Sequence, residues 1–221
     1  MPTDPVYTPR DRPIRLAVLL SGGGRSLQNL ADRIHAGTLP AELVAVIASN
    51  DTAGGLDRAH TLRIPAYVVP RKAFDSAEDF SMRVFSLVRD AGADLVCLAG
   101  YLSLLPIPDD FAHRVINIHP ALLPSFGGKG MYGDKVHAAV LEHGCKVTGC
   151  TVHFADNTYD TGPILLQRCC PVQDDDDVKT LAARVFAEEC EAYPEAIHLI
   201  AEGRVSIENG LTRIACRDDE A

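Results

Sequence analysis

Val115-Ile116-Asn117-Ile118-His119-Pro120 is the stretch on which the reading of this chain turns. The run is apolar apart from two polar residues at alternate positions, which is the pattern of a buried strand with Asn117 and His119 on one face. Pro120 then forces the chain out of the sheet. An amide and an imidazole thus project together from a strand end, where open α/β sheets hold their ligands. The same pair could simply be satisfied by backbone. A second segment favours a site: residues 151–163 (TVHFADNTYDTGP) carry the carboxylate of Asp160 on a loop bounded by glycine and proline.

Outward from that strand, Ile14–Leu20, Glu42–Ser49, Ala66–Val69 and Asp94–Ala99 read as further strands. Helical stretches fall between them at 27–35, at 55–62 and from the cap-like Ser76-Ala77-Glu78-Asp79 to about Asp90. Strands that are apolar throughout and alternate with helices predict an α/β fold. The sheet is expected to be open, mostly parallel and Rossmann-like, with helices on both faces. Residues 148–154 and 163–172 look like later strands, and 177–203 is a long amphipathic helix, with Val178, Leu181, Val185, Ala192, Ile197 and Ile200 near helical spacing. The acidic run 174–177 suits a solvated turn and a helix N-terminus better than a metal site.

No internal repeat or linker divides the chain, so a single domain is expected over 14–205. A leader of residues 1–13, with four prolines, precedes it and a C-terminal tail, 206–221, follows; both are expected to be loose. With 221 residues and 47% hydrophobic content, one sizeable core can form. The net charge of −9 speaks against nucleic acid as a partner, and no apolar run reaches membrane-spanning length. The seven cysteines form no C-x-x-C pair, and Cys169 and Cys170 are adjacent. Reduced thiols in a cytoplasmic protein, without a zinc framework, fit that usage.

Ser21-Gly22-Gly23-Gly24-Arg25-Ser26 joins the first strand to its helix. Glycines let the backbone approach an anion, and free N–H groups at the helix start point towards it. Leu27 stands where a dinucleotide fingerprint needs its third glycine, so a phosphate monoester fits better than a dinucleotide. A tight turn without a ligand is the alternative. A histidine, an amide and a carboxylate converging on a cleft can handle a tetrahedral oxyanion. Protonated His119 would donate to the developing charge, Asn117 would add a neutral donor, and Asp160 would favour the imidazolium. No serine or cysteine is placed as a nucleophile, so direct attack by a substrate amine is the natural chemistry.

These residues resemble the phosphoribosylglycinamide formyltransferase family, folate-dependent enzymes of purine biosynthesis in the formyltransferase superfamily. The similarity runs from about Ile14 to Val205. It rests on LLSGGG (19–24), ASND (48–51), KAFDS (72–76), DLVCLAGY (94–101), NIHPALLPSF (117–126), GxTVHF (149–154) and DTGPILLQ (160–167). The resemblance implies the formyltransferase fold and makes Asn117, His119 and Asp160 the catalytic set. It implies that the amine of glycinamide ribonucleotide attacks the formyl carbon of the co-substrate 10-formyltetrahydrofolate, without a metal. Gly24, Arg25 and Ser26 would hold the substrate phosphate, with Pro120 and Glu189 at the amine end. The reduced folate would lie against Leu102, Leu104, Leu105, Ala155 and Asp156. His153 is read as a packed strand histidine, and His137 as a helix-capping one. Either a monomer or a homodimer is compatible with the resemblance.

Three departures stand out. Arg25-Ser26 replaces a more usual pair ending in asparagine, Ala77 stands where an arginine often contacts folate, and Phe126-Gly127-Gly128 begins a slightly longer loop, 127–135. They leave room for a formyltransferase acting on another phosphorylated or sugar-nucleotide amine. A non-catalytic phosphate- or folate-binding module is the rival from a different class.

Overall fold

The computed structural model describes residues 4–216. Its centre is β1 (Ile14–Leu20), paired in parallel with β2 (Ala41–Ala48) on one side and β4 (Leu95–Leu98) on the other. β3 (Ala66–Val68) extends the sheet beyond β2, and β5 (Val115–His119) lies parallel to β4. β6 (Val147–Phe154) and β7 (Ile164–Pro171) then add two antiparallel strands, giving the order β3-β2-β1-β4-β5-β6-β7. The α/β, mostly parallel fold expected from the sequence is therefore the one observed.

The apolar character of β1 follows from its being covered on both sides. Leu16, Val18 and Leu20 belong to one core with α1 (Arg25–His35), α4 (Asp134–Glu142) and α5 (Val178–Ala201). Ala17 and Leu19, pointing the other way, belong to a second core with Phe80, Val84 and Phe85 of α3 (Ala77–Asp90). The short α2 (Gly55–Thr61) completes the first layer through Ala59. Strand order reverses between β1 and β4, so the crevice at their C-terminal ends is the place a ligand enters such a sheet.

Two helix starts match their sequence reading. Ser76 Oγ accepts the Asp79 N–H at 2.9 Å. Asp177, from the acidic run, accepts the N–H groups of Lys179 and Thr180, while the Thr180 hydroxyl accepts the Asp177 N–H in a capping box. Inside α5, Pro194 has no N–H to give the Cys190 carbonyl. That carbonyl accepts instead from Asn29 Nδ2 of α1 at 3.0 Å.

Among the described residues, 4–13 and 205–216 make contacts that the sequence does not suggest. In the expected leader, the Val6 N–H donates to Val205 O at 2.8 Å. Arg10 and Arg12 reach the buried carboxylate of Asp94, Arg12 through two bonds at 2.6 and 3.0 Å. In the expected tail, β8 (Val205–Glu208) and β9 (Leu211–Ile214) form an antiparallel hairpin. Asn209 and Gly210 both take positive φ at its turn. The Thr212 hydroxyl ties the hairpin to the Ile164 carbonyl. The remainder of the tail, 217–221, lies outside the described residues.

Candidate active site

The C-terminal ends of β1, β4 and β5 open on one cavity of about 700 Å³. The glycine loop after β1 forms one end of it. Neighbouring groups hold that loop by its carbonyls: Gly22 O accepts from the Gly55 N–H at 3.1 Å and Gly23 O from Arg58 Nε at 2.7 Å. Gly24 takes a left-handed φ of +71°, and a Cβ there would stand 2.7 Å from Gly55 Cα, so only glycine fits. Among the described residues, the N–H groups of 22–26 donate to no protein partner. They remain as free donors on the cavity wall.

Asn117, His119 and Asp160 come together at the other end. β5 presents the first two, and the loop after β6 brings Asp160 across in a left-handed backbone conformation, φ 58°. Asp160 Oδ2 accepts the Gly128 N–H at 2.8 Å and lies 3.6 Å from His119 Nδ1. Asp160 Oδ1 faces Asn117 Nδ2 at 3.4 Å. His119 Nε2 meets the Phe126 carbonyl at 2.9 Å. A carbonyl only accepts, so the neutral ring carries its hydrogen on Nε2 and turns a bare Nδ1 towards Asp160.

Electrostatics assigns the resting charges. Burial lowers the His119 pKa from its ordinary value, and the opposing pull of Asp160 and the Phe126 carbonyl does not offset it. At rest, desolvation outweighs the neighbouring carboxylate, which pulls towards the imidazolium expected from the sequence. Burial pushes Asp160 upward, but positive charge arriving on the His153 and His119 rings, together with the Gly128 N–H, brings it below the ordinary carboxylate range. The 3.6 Å contact is thus an ionised carboxylate facing a neutral imidazole.

The other expected site residues divide between two spaces. Gly24, Arg25, Ser26, Pro120, Glu189 and Leu102 line the large cavity. Leu104, Leu105, Ala155 and Asp156 line a smaller one of about 70 Å³ that shares Asn117, Tyr159 and Asp160 with it. Leu105 is buried, whereas Leu102 and Leu104 are exposed. Asp156 is partly occupied in holding its own loop, accepting from the Thr158 N–H and the Thr161 hydroxyl. Glu189 is half-buried on α5 at the cavity wall, and desolvation pushes its carboxyl up to about 7 against the pull of Arg25.

Three residues were missed or misread. Phe186 lies under the Arg25 guanidinium, 4.1 Å from ring centroid to Cζ. Its position one helical turn before Glu189 was the available signal. His153 is buried, as expected of a strand residue, but its Nε2 is 3.1 Å from Asn117 Nδ2. His137 is no cap: α4 starts from Gly133 without a side-chain cap bond, and His137, on the following turn, is buried at the cavity wall.

A bare imidazole nitrogen, an amide donor and an ionised carboxylate can move a proton while a carbonyl carbon becomes tetrahedral. Among the described residues, no group of three or more His, Cys, Asp or Glu is arranged to hold a metal ion. No helix among them is long and apolar enough to cross a membrane.

The profile of the formyl transferase family matches residues 14–197. A chloroplastic phosphoribosylglycinamide formyltransferase of Arabidopsis thaliana is 40% identical over 194 residues, covering 86% of this chain. The chain spans 66% of that relative's length. The phosphoribosylglycinamide formyltransferase of Haemophilus influenzae is 35% identical, with 89% of this chain and 92% of the relative covered. Among solved structures, glycinamide ribonucleotide transformylase 1 from Symbiobacterium toebii superimposes with a TM-score of 0.86 at 42% identity, covering 93% of this chain and 95% of that one. A match running from the first strand well into the last helix of the sheet layer, with relatives this similar, leaves one conclusion: the chain belongs to the formyl transferase family, alongside the phosphoribosylglycinamide formyltransferases.

Proposed function

We propose that the chain transfers the formyl group of 10-formyltetrahydrofolate to the amine of glycinamide ribonucleotide in de novo purine biosynthesis. The observation that carries this reading is the gathering of Asn117, His119 and Asp160 at one end of a cavity whose other end is a loop of unpaired N–H groups. The loop and Arg25 take the phosphate, and Glu189 and Pro120 flank the rest of the acceptor. The folate lies against Leu102, Leu104, Leu105, Ala155 and Asp156 and supplies the formyl group. The catalytic domain is 14–205, working in the cytoplasm as a monomer or homodimer.

The attacking amine must shed a proton as it forms its new bond. His119 Nδ1, bare in the resting protein, takes it, and Asp160 then faces an imidazolium that it stabilises. One hydrogen of the Asn117 amide is fixed on His153. The other makes only a 3.4 Å contact with Asp160, weak enough to be redirected to the developing oxyanion. His119 afterwards returns its proton to the departing folate nitrogen.

The test is incubation with 10-formyltetrahydrofolate and glycinamide ribonucleotide, following release of deformylated folate. Turnover that needs both substrates, and that drops roughly 10²–10³-fold in Asn117→Ala, is expected. Turnover only with a sugar-nucleotide amine would replace the acceptor, and folate binding with no turnover on any amine would remove the enzymatic reading.

A further inference from the structure

We propose that His137 is a substrate-binding residue whose imidazole donates a hydrogen bond to the phosphate monoester received by the glycine loop. The inference rests on the reading of that loop as the phosphate end of the cavity, and adds to it a donor from a different helix.

His137 is 4% exposed, yet it lines the large cavity together with Gly24, Arg25 and Phe186. Its Nδ1 is sealed from solvent without a partner, and no residue described here bonds to the ring. A position that required only packing against α4's neighbours would be filled by an apolar side chain, because a buried polar atom without a partner is a net loss. The choice of histidine is explained by something that enters the cavity. Buried N–H groups are left unpaired less readily than acceptors, so the ring's hydrogen belongs on Nε2, the nitrogen not sealed in the wall.

The location selects the ligand. His137 shares its cavity wall with Gly24, Arg25 and Ser26, and the charges that act on its ring most are Asp134, on its own helix, and then Arg25. Beside the carboxyls of Asp134 and Glu189, which also line the cavity, that end gathers donors: backbone N–H groups, the Ser26 hydroxyl and the Arg25 guanidinium held on Phe186. A ligand serving all of them must accept in several directions at once, as a phosphate does. An imidazole N–H across the cavity completes such a shell.

The experiment titrates inorganic phosphate and glycinamide ribonucleotide into the wild-type protein, His137→Phe and His137→Gln, with KM, kcat and Tm measured in parallel. His137→Phe is expected to weaken inorganic phosphate and raise the KM of the ribonucleotide about tenfold, with the KM for folate and kcat within about twofold. His137→Gln, which keeps an N–H donor, should recover part of the loss. The dephosphorylated glycinamide riboside should bind the wild type and His137→Phe alike; a difference there would mean that the ring reads the ribose, and would overturn the proposal. So would phosphate affinity unchanged in His137→Phe, or parallel loss for both substrates with a fallen Tm. If His137→Phe does not fold, His137→Ala gives the same readings. Should the wild type bind phosphate through His137 yet leave the ribonucleotide unformylated, the acceptor assignment falls while this inference stands.

Discussion

Asn117 Nδ2 stands 3.1 Å from His153 Nε2 across the β5–β6 pair, where the two residues are in register. His153 Nδ1 faces the Phe154 carbonyl at 2.9 Å, so it holds the ring's hydrogen and leaves Nε2 to accept. The amide can then present only its nitrogen side to His153 and to the Asp160 carboxylate. In the proposed mechanism His153 therefore positions the oxyanion donor. His153→Leu should lower kcat about tenfold while leaving both KM values within about twofold, because the amide loses its orientation and the cavity keeps its shape. Steady-state kinetics with each substrate varied would show it, and a change confined to KM would refute the assignment.

Asp160 and His119 make a prediction about pH. Burial holds the folded-state pKa of His119 below its ordinary 6.5, so the ring is neutral and able to take a proton down to that lower value. The rate should therefore fall with an acid limb below about pH 6.5 assigned to His119. Asp160 is the group that raises the His119 pKa, so Asp160→Asn should move this limb further to acid, besides lowering the plateau by about 10²-fold. A pH–rate profile of the variant with its limb moved upward would contradict the electrostatic account.

Glu189 couples the site to stability. Its carboxyl, pushed up to about 7 by desolvation, binds a proton in the folded state at pH values where the unfolded chain, at 4.5, has released it. The contribution is fully present below pH 4.5 and is lost as pH rises through about 7. Glu189→Gln should accordingly gain Tm relative to wild type between pH 5 and pH 8, by a few degrees, while weakening acceptor binding. Thermal melts of both proteins at the two pH values test the sign directly.

Asp94 works in the opposite direction. Burial would raise its pKa, but Arg12 and the Arg15 N–H bring it below 3.8. Its contribution is present above pH 3.8 and disappears as pH falls through the lower folded-state value. Arg12→Ala should lower stability near neutral pH, because a buried carboxylate loses its main partner, and lower it less at pH 3. Urea midpoints at the two pH values give the comparison.

The sheet was legible because a strand covered on both faces has little room for polar residues, and β1 shows that in every position but Arg15, near its start. That Asn117 and His119 share one strand end was legible because they alternate just before a proline. The hairpin was missed although Asn209-Gly210 sits between two alternating runs, the local signal for a tight two-residue turn. The ordering of residues 4–12 left no such signal, since arginines reaching a carboxylate some eighty positions away form no local pattern. The protonation state of His119 and the direction of His137 are likewise products of packing. Helical periodicity could put His137 on α4, but only the placement of that helix against the glycine loop turns the ring into the cavity.

Pro194 gives α1 and α5 a common joint. The Cys190 carbonyl it releases is taken by Asn29, one turn beyond Arg25, and Cys190 itself adjoins Glu189. The span between the Arg25 guanidinium and the Glu189 carboxyl across the cavity is therefore tied to a bond outside the cavity lining. A chain built this way could widen or narrow its berth for a different amine by altering the pin, Asn29 or Pro194, with every residue of the lining left as it is.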